Sequence, residues 1–142
     1  MRHDVTIRDA CEIAGLTRAQ INHMASFYGM SFDEPQRLGE ARRFSKRDLV
    51  RLALAEKLSR IGIPWPTIVA IDSEMPQASY DTSNDAWLLA GWVNGHPDPE
   101  LVRVVTPQGA RRAMSANGLH TGVLVNLSNI EGDVRTRLEK HR

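Results

Sequence analysis

The sequence predicts an α+β fold, with four short helices followed by a small unit of antiparallel strands and a C-terminal helix. Up to about residue 71, apolar residues recur every three or four positions between residues that cap helices. A polar segment rich in turn-forming residues follows at 72–85. Beyond it, short runs of valine, leucine and tryptophan are separated by glycine, proline and asparagine turns, which is typical of strands.

The first two predicted helices form a helix-turn-helix. Thr6 is an N-cap candidate because Asp9 follows three positions later, and Gly15 ends the helix that Thr6 begins. Thr17 caps a second helix that runs from Arg18 to about Tyr28. The outward positions of this helix are Arg18, Asn22, His23 and Ser26, and its inward positions are Ile21, Met24, Ala25 and Tyr28.

The segment after this motif changes character. Residues 29–44 lack a helical period and contain proline and glycine, which predicts an extended loop or a two-stranded wing. Ser45 caps a third helix that ends at Gly62, and a fourth, short helix begins around Pro64 because proline is tolerated in a first turn. The N-terminal domain is therefore predicted to span residues 4–72.

A second domain is predicted at 86–142, after a linker at 73–85. Within it, Ala86–Val93 and Leu101–Thr106 are predicted as the two strands of a hairpin, and Thr121–Leu127 as a third strand. The class of this domain is therefore α+β, and its role is either dimerisation or the binding of an effector or partner.

The remaining segments of the second domain leave two alternatives open. Ala110–Ala116 fits either a fourth strand or a helical turn. Ser128 followed by Glu131 predicts a capping box at the start of the last helix. The apolar stripe of that helix consists of Ile130, Val134 and Leu138. This stripe packs either on the domain's own sheet or against a second chain.

Composition and motifs exclude several classes of protein. No apolar run approaches the roughly 18 residues of a membrane span, and the N-terminus lacks the apolar segment of a signal peptide, which predicts a cytoplasmic protein with no membrane partner. Cys11 is the sole cysteine, so one chain cannot form a disulfide or a thiolate zinc site. Histidines lack metal-ligand spacing, and no phosphate-binding loop occurs. We therefore expect no enzyme activity, cofactor or metal.

Basic residues concentrate in the N-terminal half. Residues 1–71 contain 11 Lys and Arg against 8 Asp and Glu, which gives +3, whereas residues 72–142 contain 7 against 9, which gives −2. Six basic residues lie in one short window: Arg37, Arg42, Arg43, Lys46, Arg47 and Arg51. The N-terminal half is therefore the candidate surface for a polyanion.

Duplex DNA is the polyanion that this arrangement fits. It is bound by a helix in the major groove together with flanking cations that neutralise phosphates, and the second helix and the basic segment supply both. Arginine forms bidentate hydrogen bonds with guanine, and asparagine or glutamine with adenine, so Arg18, Gln20 and Asn22 are candidates for base readout. A solvated helix face is the alternative for these side chains.

Three segments, in this order and spacing, resemble the MerR-type winged helix-turn-helix family. VTIRDACEIAGLTRAQINHMASFYG is similar to its opening helix-turn-helix. GEARRFSKRDLVRL is similar to the Gly-Tyr-Arg-Arg-Tyr-Ser-x-x-Asp-Leu signature that closes the wing and begins the third helix. LSRIGIPWPTIVAI is similar to the Leu-Arg-x-Leu-Gly-Phe-Ser-Leu-x-x-Ile segment. The resemblance covers about half of the chain.

This resemblance implies that the second helix enters the major groove and that the wing arginines bind the DNA backbone. The DNA-binding residues predicted on this basis are Thr17, Arg18, Ala19, Gln20, Asn22, His23, Arg37, Arg42, Arg43 and Lys46. The partner is double-stranded DNA, bound by a homodimer because two-fold operators require paired reading helices, and RNA polymerase is a candidate second partner. We predict a bacterial or phage-encoded, nucleoid-associated transcriptional regulator.

The sequence departs from the family pattern in the second helix, in the wing and after the fourth helix, and His23 and Met24 occupy the usual tyrosine pair of the second helix. Ala41 and Phe44 replace the tyrosines of the wing signature, so hydrogen bonds from those hydroxyls to phosphates are lost. Residues 72–85 form a turn-rich break where family regulators often have a long helix that pairs two subunits. Two alternatives stay open, an excisionase-like or architectural protein that bends DNA and a protein-interaction adaptor that does not bind DNA.

Overall fold

The computed structural model describes residues 5–33, 39–75, 85–93 and 98–141. Within these residues the helices are α1 (Ile7–Ala14), α2 (Arg18–Ser26), α3 (Lys46–Arg60), α4 (Trp65–Glu74), α5 (Pro107–Ala116) and α6 (Leu127–Lys140). The strands are β1 (Trp87–Trp92), β2 (Leu101–Val105) and β3 (Thr121–Asn126). The α+β prediction is confirmed, with four helices before the strands and one long helix after them. None of the described helices is both long and apolar enough to cross a membrane.

Side-chain caps begin the first three helices, as the sequence predicts. Thr6 Oγ1 accepts a hydrogen bond from the N–H of Asp9 at 3.3 Å. Gly15 ends α1 with a φ of 77°, a left-handed conformation that glycine adopts without strain. Reciprocal capping boxes begin α2 and α3, formed by Thr17 with Gln20 and by Ser45 with Asp48. Local sequence therefore fixes where these helices start.

Two helix boundaries differ from the prediction. The second helix ends at Ser26 rather than near Tyr28, and α4 continues to Glu74, which lies inside the segment predicted as a linker. Most of that linker lies outside the described residues. The predicted wing at 29–44 is described except for residues 34–38.

The three described strands form an antiparallel sheet in the order β2-β1-β3, and β1 and β2 make the predicted hairpin. Side chains alternate between the two faces of a strand. Leu88 and Ala90 therefore face the main core, whereas Leu89 faces the opposite side, where α5 covers it. The sheet thus separates α5 from the rest of the protein.

Ala110–Ala116 is helical, which settles the choice between a strand and a helical turn. These residues belong to α5, whose N-cap Thr106 accepts a hydrogen bond from the N–H of Gly109 at 3.1 Å. Pro107 occupies the first turn, where a missing N–H has no cost. A capped start with proline in the first turn is a helix signal that the sequence interpretation did not use.

The predicted cap of the last helix is wrong. Asn126 caps α6, because its Oδ1 accepts a hydrogen bond from the N–H of Asn129 at 3.0 Å. The hydroxyl of Ser128 is used elsewhere and accepts a hydrogen bond from the N–H of Ala86 at 2.9 Å. The helix therefore begins at Leu127, a residue predicted to belong to the third strand.

The helix α6 joins the two halves of the chain. It contacts β1 and also packs on α3 and α1, so N-terminal helices and sheet share one hydrophobic cluster. Its apolar stripe is buried, with Ile130 and Leu138 each 8% exposed and Val134 1% exposed. These side chains pack within the chain and leave little surface for a second copy. A subunit contact at these residues, and the domain boundaries at 4–72 and 86–142, stay predictions.

The close contact between β1 and the chain before β3 gives a test of the packing. Gly91 is buried, and a Cβ at this position would overlap with Cδ1 of Leu119. We expect Gly91→Ala to lower the free energy of unfolding by about 1–3 kcal/mol, because overpacking forces neighbouring side chains to move. Urea denaturation measures this change.

The matched control is Gly132→Ala in α6. A Cβ there would lie 3.9 Å from Arg135 Nη2, an ordinary van der Waals contact. Alanine is the better helix former, so this variant should be more stable by about 0.5–1 kcal/mol. If Gly91→Ala is as stable as Gly132→Ala, the described contact between Gly91 and Leu119 is wrong.

Candidate nucleic-acid interface

One face of α2 is exposed and polar. Ile21 and Met24 are fully buried against the core, whereas Arg18, Asn22 and His23 lie on the exposed side, together with Ala19. The sequence prediction of which residues face outward is confirmed at these positions. A helix that is held on one side by apolar side chains can present its other side to a groove without losing its own packing.

The N-terminus of α2 uses two of the predicted DNA-binding side chains for its own structure. Thr17 Oγ1 accepts a hydrogen bond from the N–H of Gln20 at 3.1 Å, and Gln20 Oε1 accepts one from the N–H of Thr17 at 2.9 Å. The amide NH2 group of Gln20 takes no part in this capping box. An adenine contact by Gln20 would therefore use only half of the usual amide pair.

An aromatic group lies at the C-terminal end of α2, and sequence reasoning missed it. The rings of His23 and Phe27 are stacked, with centroids 4.9 Å apart and planes 10° apart. Tyr28 meets both rings edge-on, at 5.1 and 4.9 Å. Phe27 is 71% exposed, which is unusual for a large apolar side chain. The signal in the sequence was its spacing of four from His23, which places both on one helix face.

The end of the wing is held by a buried aromatic residue. Phe44 is fully buried, and its N–H donates a hydrogen bond to the carbonyl of Val5 at 3.1 Å. Phe32 packs edge-on against Phe44 with a centroid distance of 5.2 Å. The guanidinium of Arg42 lies over the Phe32 ring, 5.4 Å from the ring centroid. The side chain of Arg43 is exposed. Arg42 is therefore held by an aromatic ring of the core, and Arg43 directly precedes a backbone position that is fixed to the core.

A buried carboxylate fixes the start of α3 just after the wing. Asp48 is completely buried, and its oxygens accept hydrogen bonds from the N–H groups of Ser45 at 3.0 Å and Asp33 at 3.1 and 3.3 Å. Nη1 of Arg51 lies 3.2 Å from Asp48 Oδ1. Burial raises the pKa of Asp48 above the usual aspartate range, although these hydrogen bonds and the charge of Arg51 oppose the increase.

Two basic side chains of the charged window, Arg51 and Arg47, form ion pairs with carboxylates. Arg51 forms a two-point pair with Asp72, with Nε and Nη2 at 2.8 and 2.6 Å from the two oxygens. Arg47 pairs with Asp33. Burial alone would raise the pKa of Asp33, but the hydrogen bonds from Arg47 and Ser45 and the nearby arginine charges lower it.

Two of the predicted DNA-binding residues, Lys46 and Arg37, are not among the cations that the structure places on α2 or at the end of the wing. Lys46 Nζ lies 2.5 Å from Oε1 of Glu131 in α6, so this ammonium links α3 to the last helix. Arg37 lies outside the described residues. Of the predicted DNA-binding cations, the structure places Arg18 on the exposed face of α2 and Arg42 and Arg43 at the end of the wing.

A cavity of about 450 Å³ lies between residues 29–33 and the helices α3 and α4. Its charged lining consists of Asp33, Arg47, Arg51 and Asp72. These side chains are paired with one another, so the wall is close to neutral. Nothing in this lining selects a charged ligand.

Among the described residues, Asp9, Glu12 and His141 could supply ligand atoms to one metal ion. The two ring nitrogens of His141 lie 3.5 Å from a carboxylate oxygen of Asp9 and of Glu12. The histidine already bridges the two carboxylates, and the contact joins the end of α6 to α1. Sequence spacing could not reveal this group, because His141 is far from α1 along the chain.

The helix α2 has an exposed polar face, and Arg42 and Arg43 lie just before the start of α3. Both are features of a helix-turn-helix domain followed by a basic wing. Residues 5–74 match the family model described as "MerR HTH family regulatory protein". The N-terminal half is a MerR-family helix-turn-helix domain. No curated protein matches the chain.

The matched residues comprise α1 to α4 and the segment 29–44 that is predicted to form a wing, so they contain the described residues predicted to bind DNA. The resemblance in the sequence is confirmed over essentially the same range. The match assigns this half to a family of DNA-binding regulators. The sheet, α5 and α6 lie outside the matched residues.

Proposed function

We propose that this protein is a transcriptional regulator that binds double-stranded DNA in a sequence-specific manner. In this proposal, α2 reads the major groove and the wing binds phosphates. The observation that carries it is the placement of Arg42 and Arg43 directly before the buried Phe44, at the end of a wing in a MerR domain. Two cations beside a fixed backbone position can approach a phosphate with little loss of conformational freedom.

The outward face of α2 carries the chemistry for base readout. Arg18 can form two hydrogen bonds with guanine, and Asn22 two with adenine. The stacked ring of Phe27 suits contact with a thymine methyl group, which is an apolar feature of the major groove. The N-terminus of α2 also favours a phosphate, because helix N–H groups and the helix dipole attract anions.

The wing is tested by the salt dependence of binding. A duplex enriched from a random-sequence pool serves as the probe, and affinity is measured by fluorescence anisotropy over a range of salt concentrations. We expect Arg43→Ala to reduce the slope of log affinity against log salt by about one, because each phosphate that is neutralised releases counterions. Binding should weaken to a similar extent on unrelated duplexes.

The matched control is Arg135→Ala, which removes an exposed arginine from α6. This variant should keep the wild-type slope. An unchanged slope in Arg43→Ala would remove the wing from the interface. If the wild-type protein enriches no shared sequence from the pool, sequence-specific regulation is contradicted and architectural binding is favoured. If it binds no duplex at all, the protein-interaction adaptor is favoured.

We further propose that the protein binds as a homodimer and regulates transcription through DNA shape or through access of RNA polymerase. Two copies would read two half-sites related by a two-fold axis. A gel-shift series with the site at different positions in the duplex measures bending. Strong bending without an effect on transcription from the same promoter would favour an architectural protein.

A further inference from the structure

The outer layer formed by β2, α5 and β3 is basic, although the C-terminal half as a whole is acidic. Residues 101–130 contain three arginines and neither aspartate nor glutamate. The arginines are Arg103 in β2 and Arg111 and Arg112 in α5, and all three are exposed. We refer to these three side chains as the α5 surface.

The arginines of the α5 surface differ in their partners from Arg47 and Arg51 of the MerR domain. Arg47 and Arg51 are each paired with a carboxylate. Within the described residues, Arg103, Arg111 and Arg112 take part in no ion pair or hydrogen bond of their side chains. Three exposed cations without carboxylate partners, on one side of the sheet, create a positive potential that an external anion can relieve.

The α5 surface lies on the far side of the sheet from the MerR domain. Ala110 and Ala113 of α5 pack on Leu89, on one face of β1. Arg103 is opposite Leu89 in the strand register, so it projects from that same face. The other face of the sheet packs on the cluster that contains α6, α3 and α1, and α2 in turn packs on α1. The sheet and the helices packed on it therefore lie between α2 and α5.

The composition of α5 favours phosphates over an acidic protein as the ligand. Its exposed positions carry proline, glutamine, arginine, serine and alanine, with no large apolar side chain. Protein interfaces usually bury an apolar or aromatic centre, whereas phosphate contacts need only cations and small polar groups. Leu124 in β3 is 45% exposed, and a single such residue is ordinary on a protein surface.

We propose that the α5 surface binds the phosphates of a second duplex DNA segment, so that one protein bridges two pieces of DNA. Guanidinium groups suit this role because they are weakly hydrated and bind phosphate oxygens through two parallel hydrogen bonds. The first turn of α5 contains no acidic residue, so the positive end of its dipole is not offset there.

The test is capture of a second duplex by the full-length protein. A biotinylated duplex selected from the random pool is immobilised and saturated with protein, and a fluorescent duplex of unrelated sequence is then added. We expect wild-type protein to retain the fluorescent duplex. Arg111→Gln/Arg112→Gln should reduce capture by about tenfold while binding of the first duplex stays within about twofold of wild type, because the lost contacts are made to the second segment only.

The matched control, Arg135→Gln/Lys140→Gln, removes the same charge from exposed positions of α6 and should capture DNA normally. Equal capture by the α5 variant and the control overturns the proposal, since bridging would then come from two reading helices of a dimer. Absence of capture by the wild-type protein also overturns it. A variant that captures DNA normally but loses binding to RNA polymerase would assign the α5 surface to an acidic protein instead.

The proposal can be separated from the proposed regulator function. In an Arg42→Ala/Arg43→Ala background, binding to an unrelated long duplex is compared with and without the two α5 substitutions. We expect the salt slope to fall by about two more when Arg111 and Arg112 are replaced. This comparison gives an answer even if no selected sequence exists, and an unchanged slope overturns the proposal.

Discussion

Asp48→Ala is expected to lower the free energy of unfolding by about 3–5 kcal/mol, the range for loss of one partner from a buried charged network. The substitution removes the capping box of α3 and leaves the N–H groups of Ser45 and Asp33 without their acceptor. Arg51 also loses one of its carboxylate partners. The free energy of unfolding is obtained from urea denaturation followed by circular dichroism.

The control for this variant is Asp133→Ala in α6. Asp133 is 54% exposed and pairs with Arg137 four residues later, an arrangement that contributes about 0.5 kcal/mol or less. The two substitutions remove the same side chain, so they differ only in burial and hydrogen bonding. If Asp48→Ala costs no more than Asp133→Ala, the described network around Asp48 does not stabilise the protein.

The same comparison has an expected pH dependence. Burial raises the pKa of Asp48, so the folded protein keeps a proton on this carboxyl at a higher pH than the unfolded chain does. The contribution of Asp48 to stability is therefore complete below the usual aspartate pKa and decreases as the pH rises to the raised pKa. The difference in free energy of unfolding between wild type and Asp48→Ala should therefore decrease as the pH rises from the usual aspartate pKa to the raised pKa. Above the raised pKa it should be constant.

Features that depend on neighbouring residues along the chain could be predicted from the sequence. The caps at Thr6, Thr17 and Ser45 use acceptors and N–H groups three positions apart, so the pattern itself contains the geometry. The exposed face of α2 follows from helical periodicity in the same way. At these three helices, the starts in the structure match the prediction.

Features that depend on distant residues could not be predicted. Periodicity identified an apolar stripe on the last helix but not the surface that covers it, and α3 and α1 are that surface together with the sheet. The pair between Lys46 and Glu131 joins residues 85 positions apart, so the sequence could not show that a lysine predicted to bind DNA also contacts α6. The wrong cap at Ser128 has the same origin, because its hydroxyl is needed by the strand that begins near Ala86.

Only the part of the candidate interface that depends on local sequence could be predicted. Arg42 and Arg43 were identified from their place in a wing signature, and the structure adds the Phe32 ring on which Arg42 rests. The exposure of Phe27 and the isolation of the α5 arginines depend on which residues fail to be covered or paired. Those properties exist only once the whole chain is folded.

Phe44→Ala is expected to have the second large effect, with a loss of about 3–5 kcal/mol in the free energy of unfolding. Phe44 is fully buried, and removal of its ring leaves a cavity beside Phe32 at the point where the wing meets the core. Phe44→Leu keeps most of the apolar volume and serves as the control, with a smaller loss expected. Both values are measured by urea denaturation.

The effect of Phe44→Ala on DNA binding tests whether the wing arginines need a fixed position in order to bind DNA, or whether their charge alone is enough. Under conditions where the variant is shown to be folded, we expect its affinity for the selected duplex to fall and its salt slope to decrease by about one, as for Arg43→Ala. The reason is that Arg42 rests on Phe32, which loses its support when the Phe44 ring is removed. Wild-type affinity in a destabilised but folded Phe44→Ala would mean that the arginines bind DNA from a wing that needs no fixed position, so that pre-organisation of the wing does not contribute to binding.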